Sequence, residues 1–209
     1  MELFYGCNLW TFNNNDMDKT TDFLDPIGHI YTLDELENEM SPVRKQCWQT
    51  VDFSRAWADF FGNAFEKHLL DTMEDANGLG LAANQLGFSF RAFAMDTEDY
   101  WGVIYNPEII EFSDNKTKDF EGCLSLPDKI GLVSRFDWID VTYEVTPHGM
   151  RVTRQFKGLS ARVFQHELDH LNGILISDYW IDNNEWAFIS EMKETWGGYK
   201  DLEFCQTTL

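Results

Sequence analysis

The chain has 209 residues, of which 44% are hydrophobic and 15% aromatic, enough to bury a sizeable core as one globular domain. Its formal net charge of -20, from 16 Lys+Arg against 36 Asp+Glu, argues against nucleic-acid grooves and anionic membrane surfaces as partners. No stretch approaches the roughly 20 apolar residues of a membrane span, and four cysteines at 7, 47, 123 and 205 suit a reducing cytosol better than a disulfide framework.

The first twenty or so residues carry Asn13-Asn14-Asn15-Asp16 and little periodicity, which predicts a loop-rich arm. Over 52–74, Phe53, Trp57, Phe60, Phe61, Phe65, Leu69 and Met73 keep a helical period, the pattern of an amphipathic helix packed on a sheet. Strands are expected over 88–95 and 101–105, with Asn106-Pro107 ending the second. Further strands are expected over 109–112, 130–133, 138–145 and 151–156, with Pro147-His148-Gly149 as a hairpin turn. A second helix over 160–172 stops at Gly173. With no internal repeat and no flexible linker, the expectation is one α+β domain over 1–209. Mostly antiparallel sheets pack around a central helix, and an acidic segment runs over 178–209.

The central helix carries His166-Glu167-Leu168-Asp169-His170. Residues four apart share a helix face, so two imidazoles can converge on one divalent ion. Glu167 sits about 100° around from His166, better placed to take a proton from water than to bind metal. Upstream, Glu121-Gly122-Cys123-Leu124-Ser125-Leu126-Pro127 offers the Cys123 thiolate as a third ligand. Further upstream, Gly78-Leu79-Gly80-Leu81-Ala82-Ala83-Asn84-Gln85 pairs glycines that let another backbone approach with the amide donor of Gln85. Leu159 and Val163 lie one turn apart on the face approaching the metal and, with Leu79, can cradle an apolar side chain. The segment over 78–81 is a candidate edge for an added peptide strand.

Two other readings of the pentapeptide remain open. A zincin-type metallopeptidase would take a downstream acid such as Asp178 or Glu185 as third ligand. A binding protein with a structural metal would close the site with four protein ligands. His29, His68 and His148 read as surface or turn histidines, and Cys7, Cys47 and Cys205 as ordinary thiols. Asp169 either supports a ligand or pairs with Arg162 or another basic group.

Taken in order, Gly-x-Gly-x-Ala-Ala-x-Gln, Glu-Gly-Cys-Leu-Ser and Gln-His-Glu-x-Asp-His-Leu (residues 165–171) resemble the three signature motifs of peptide deformylases. The resemblance implies Cys123, His166 and His170 as protein ligands of one divalent metal, with water in the fourth position. It implies Glu167 as general acid/base, and the Gln85 side-chain amide and the Leu124 backbone N–H as oxyanion donors. Leu79, Gly80, Gly122, Leu159 and Val163 become substrate-binding residues, the Gly80 backbone meeting the formyl group. The implied reaction removes the formyl group from N-formyl-methionyl peptides or nascent chains and releases formate. The implied metal is Fe(II), replaceable by Zn or Ni during preparation. Two departures stand out. Ile130 occupies a position that is basic in many bacterial members, although Arg135 fits a second basic position. Residues 178–209 hold seven acids and two lysines, which argues against ribosome docking by a basic C-terminal helix. Both suggest a divergent lineage, viral or environmental.

Overall fold

The computed structural model describes residues 2–5, 8–11, 30, 42–47, 63–146, 149–180 and 186–189. Their strands, in chain order, are β1 (Glu2–Tyr5), β2 (Asn8–Thr11), β3 (Gly80–Ala82), β4 (Ala92–Thr97), β5 (Tyr100–Phe112), β6 (Lys116–Cys123), β7 (Leu126–Phe136), β8 (Trp138–Glu144), β9 (Arg151–Lys157) and β10 (Trp186–Phe188). The helices are α1 (Asn63–Asp75) and α2 (Gly158–Leu171), with three-residue or four-residue 3-10 turns between elements. All strand pairs are antiparallel, as the α+β reading expects. Within the expected loop-rich arm, β1 and β2 pair antiparallel; residues 12–20 lie outside the described residues.

A five-stranded sheet runs β3-β4-β5-β8-β9 and a three-stranded sheet β10-β7-β6. On β4 and β5, alternate side chains divide between two apolar clusters, as strand periodicity requires. Phe93, Met95 and Ile104 join Ile139, Val141, Tyr143 and Phe156 with Phe164 of α2. Ala92, Ala94, Val103 and Tyr105 join Phe65, Leu69 and Met73 of α1. The larger sheet is therefore buried on both faces, one under each helix. Perpendicular ring contacts at 5.1 Å (Phe93–Phe164) and 5.3 Å (Phe65–Phe88) lock the two interfaces.

α1 buries Phe65, Leu69, Thr72 and Met73, the stripe expected of an amphipathic helix; the rest of the predicted helix, 52–62, lies outside the described residues. α2 is buried nearly all round, from Ser160 to Glu167 and again at His170 and Leu171. It touches β3, β4, β7, β8 and β9. The helix ends as Gly173 adopts φ +74, with the Gly173 and Ile174 amides donating to the His170 and Asp169 carbonyls. A Cβ at Gly173 would fall 2.5 Å from the Arg44 carbonyl oxygen, so only glycine fits this stop.

Several boundaries differ from expectation for identifiable reasons. Asn106-Pro107 does not end a strand. Asn106 takes φ +47 and the β5–β8 register shifts between Tyr105 and Glu108, so a bulge carries β5 through the proline to Phe112. The expected 130–133 strand is the middle of β7. No strand is expected over β6, because Lys116, Lys118 and Asp119 are exposed on an edge strand and carry no apolar alternation. β8 and β9 pair as predicted, although Pro147 and His148 of their turn lie outside the described residues. No helix among the described residues is long and apolar enough to cross a membrane.

Candidate active site

α2 brings His166, Glu167 and His170 to the place where the edge strands of both sheets end. Cys123 closes β6, and the Leu124-Ser125 turn leads into β7. Ligand atoms of Cys123, His166 and His170, all buried, lie within 4.8 Å of one another, with Cys123 Sγ 3.2 Å from His170 Nε2. His166 Nε2, His170 Nδ1 and both Glu167 carboxylate oxygens are buried without a hydrogen-bond partner. Orphaned buried polar atoms are costly, and two imidazoles and a carboxylate left so beside a buried thiol fit a cation with open coordination and a reactant beside it.

The electrostatics agree. Burial pushes the Cys123 thiol up to about 12, against the backbone N–H groups of Ser125 and Leu126 that point at its sulfur; a divalent cation would reverse that balance. Burial holds His170 well below its ordinary value, hence a neutral imidazole suited to metal. Burial raises the Glu167 carboxyl well above the usual 4.5, the Arg135 charge opposing it. A carboxyl raised in the fold contributes stability below its unfolded value, and that stability is lost as pH rises through the folded value. Glutamine has no such loss. In chelator-stripped protein, the Glu167→Gln variant is therefore expected to gain thermal stability over wild type as pH rises above 4.5, with melting curves coinciding in acid.

Glu121 is the residue whose function the sequence concealed. Its Oε2 meets His166 Nδ1 at 3.0 Å and Arg135 Nη2 at 2.9 Å. Its Oε1 accepts from Arg135 Nε at 2.9 Å and Arg162 Nη1 at 2.6 Å. Burial alone would raise this carboxyl, but Arg135 and the hydrogen bond to His166 hold it well below the carboxylate range. Asp169 pairs with Arg135, not with Arg162, and accepts from the Tyr179 hydroxyl at 2.8 Å.

The 3-10 turn after β3 completes the wall. Gln85 Oε1 accepts the Ala82 N–H at 2.7 Å, and its Nε2 donates to Ser125 Oγ at 3.1 Å, leaving a second amide hydrogen. Asn84 Nδ2 donates to the His170 carbonyl at 2.6 Å. At Gly80 a Cβ would lie 2.4 Å from Glu167 Oε1, so the missing side chain makes room for the carboxylate. At Gly78 a Cβ would press the Leu124 side chain at 3.0 Å. Leu79, Leu159 and Val163 fall in one apolar cluster, Val163 fully buried and the leucines partly exposed. Gly122 lies on β6 opposite Ile130, which is buried.

Asp178 is engaged elsewhere, with Arg44 at 2.5 Å and the Leu175 N–H at 2.9 Å, which removes it as third ligand. Glu185, His29, His148, Cys7 and Cys205 lie outside the described residues. Cys47 is buried and its thiol is raised by burial to about 11; His68 packs edge-on to Phe88.

A family model described as polypeptide deformylase matches residues 42–186. The peptide deformylase of Thermotoga maritima is 43% identical over 112 residues, covering 54% of this chain and 68% of that protein. That of Carboxydothermus hydrogenoformans is 46% identical over 109 residues, covering 52% and 70%. Among solved structures, the Thermotoga maritima peptide deformylase superposes with TM-score 0.62 at 33% identity, covering 73% of this chain and 96% of that one. A probable peptide deformylase from synechococcus phage S-SSM7 gives 0.61 at 33% identity, covering 72% and 98%.

Proposed function

From the premise that the chain belongs to the polypeptide deformylase family, enzymes that take the formyl group off nascent peptides, we propose that it is a metal-dependent amide hydrolase acting on N-formyl-methionyl ends and releasing formate. The observation that carries this reading is the buried Cys123/His166/His170 cluster with an unpartnered Glu167 carboxylate beside it. These three residues would hold one divalent ion, Fe(II) in the cell, with Zn or Ni as substitutes. Bound there, the ion supplies Lewis acidity and makes water nucleophilic near neutral pH.

The chain's own residues supply the remaining steps. Glu167 takes the proton of the attacking water on its carboxylate and returns it to the leaving amine nitrogen, a task suited to a carboxyl that burial has raised. The free hydrogen of Gln85 Nε2 and the Leu124 backbone N–H stabilise the developing oxyanion. β3 and β6 are edge strands of different sheets, and both border the site. An extended substrate adds to the Gly80 edge and passes the Gly122 edge, while Leu79, Leu159 and Val163 receive the methionine side chain.

The test is formate release by Fe(II)-loaded protein, prepared without oxygen, across formyl peptides differing at the first residue. Formyl-Met should give the highest kcat/KM and a formylated acidic residue the lowest; equal rates would remove the apolar pocket from the account. The Gln85→Leu variant is expected to lose about 10²- to 10³-fold in kcat, or about 3 to 4 kcal/mol, with little change in KM. A loss confined to KM would assign Gln85 to substrate binding. The Gly80→Ala variant forces the Glu167 carboxylate aside and should lose about 10²-fold in activity, the scale for a 1 Å misplacement. Its metal content, measured by elemental analysis, should be unchanged; wild-type activity would show that the contact is relieved without moving Glu167.

A further inference from the structure

Arg162 has no assigned function, yet it is buried one helical turn before His166 and spends every contact on the elements that frame the metal cluster. Its Nη1 donates to Glu121 Oε1 at 2.6 Å and to the Val133 carbonyl at 3.0 Å, and its Nη2 to the Thr117 carbonyl at 2.8 Å. One guanidinium thus ties α2 to β6, the strand that ends in Cys123, and to β7. Glu121 has all its directions taken: Arg135 engages both oxygens, Arg162 one and His166 the other. A carboxylate offers only acceptors, so the His166 contact is donated by Nδ1, and the lone pair of the neutral ring falls on Nε2, the unpartnered atom.

We propose that Arg162 is a positioning residue of the metal centre: it fixes the Glu121 carboxylate, and through it the ring plane and tautomer of His166, so that Nε2 faces Cys123 and His170. The inference rests on the metal-centre reading above. Arg135 also grips Glu121, through Nε and Nη2, but gives Nη1 to Asp169. Arg162 adds the second anchor on Oε1 and is itself held by two backbone carbonyls. Glu121 is the direct partner of His166, the kind of group whose loss commonly changes metal affinity by about 10- to 100-fold; Arg162 acts one hydrogen bond further out, so its effect lies at or below the lower end of that range.

The test uses the full chain loaded with Co(II), comparing wild type with Arg162→Lys and Arg162→Met. Three readouts are needed: the Co(II) absorption band, the rate of Co(II) release to excess chelator, and thermal unfolding of the metal-free proteins. Arg162→Met should release Co(II) up to about 10-fold faster with a shifted band, and Arg162→Lys, which keeps a donor and charge for Glu121, should recover most of the loss. Both variants lack the bidentate reach to the Thr117 and Val133 carbonyls, so a merely structural function would make them fail alike, and that result overturns the proposal. Release at the wild-type rate in both overturns it too. If Arg162→Met does not fold, the Lys variant decides: near-wild-type release and band support positioning, whereas loss equal to that of a Glu121→Gln protein contradicts it. Wild-type protein that binds no Co(II), or whose band is unmoved by Cys123→Ser, sinks the metal-centre reading and the proposal together.

Discussion

Replacing Glu167 by Gln is expected to lower formate release by about 10²- to 10⁴-fold, the range for loss of a positioned general acid/base, while metal remains bound. The physical ground is the isolation of this carboxylate: it is fully buried, and neither oxygen has a hydrogen-bond partner. Glutamine keeps the shape beside Gly80, so the site should not collapse, but its amide cannot accept and return a proton at neutral pH. Activity and metal content should therefore separate. Elemental analysis and the rate are measured on one preparation; a variant retaining more than a tenth of wild-type activity would displace Glu167 from the proton-transfer step. A variant that loses metal as well would make Glu167 a ligand.

Removing Glu121 should produce the largest loss of stability. The buried cluster holds two guanidiniums, Arg135 and Arg162, with side-chain exposures of 5% and 9%, against the carboxylates of Glu121 and Asp169. Formally it is neutral. Glu121→Leu leaves two buried cations facing one carboxylate, and breaking a buried pair in this way costs about 3 to 5 kcal/mol. Urea unfolding of the metal-free proteins measures it; a loss under about 1 kcal/mol would mean that water reaches the cluster. The pH dependence has a definite sign. Arg135 and the bond to His166, against the cost of burial, lower the folded Glu121 below its ordinary 4.5. Its stabilisation is complete above that value and is lost as pH falls through the folded value. The gap between wild type and variant should shrink in acid.

What the sequence made legible was whatever depends on local spacing. His166, Glu167 and His170 are placed by helix geometry alone, and the Gly-x-Gly and Glu-Gly-Cys segments needed only their order. Glu121 is different. It opens the Glu-Gly-Cys motif, but its partners lie 14, 41 and 45 residues away, so the order of the motif does not show what it binds. In the sequence Arg162 stands only as a possible partner for Asp169; its contact with Glu121 follows from a helix buried on nearly every side. Asn106-Pro107 misled because proline is a strong breaker, and only the positive φ of Asn106 shows how the strand absorbs it. At Gly80 the group that needs the space is the Glu167 side chain, 87 residues along the chain and outside any local pattern. The apolar triad of Leu79, Leu159 and Val163 was recoverable from helical spacing plus one distant leucine.

The most direct test of the central claim is to incubate the Fe(II)-loaded protein with a formyl-Met tripeptide and count both products. The account predicts formate and a free methionyl amino terminus in equal amounts, both abolished when Cys123 is replaced by Ser. Cleavage of an internal peptide bond, or no formate from protein shown to contain one metal per chain, would contradict it.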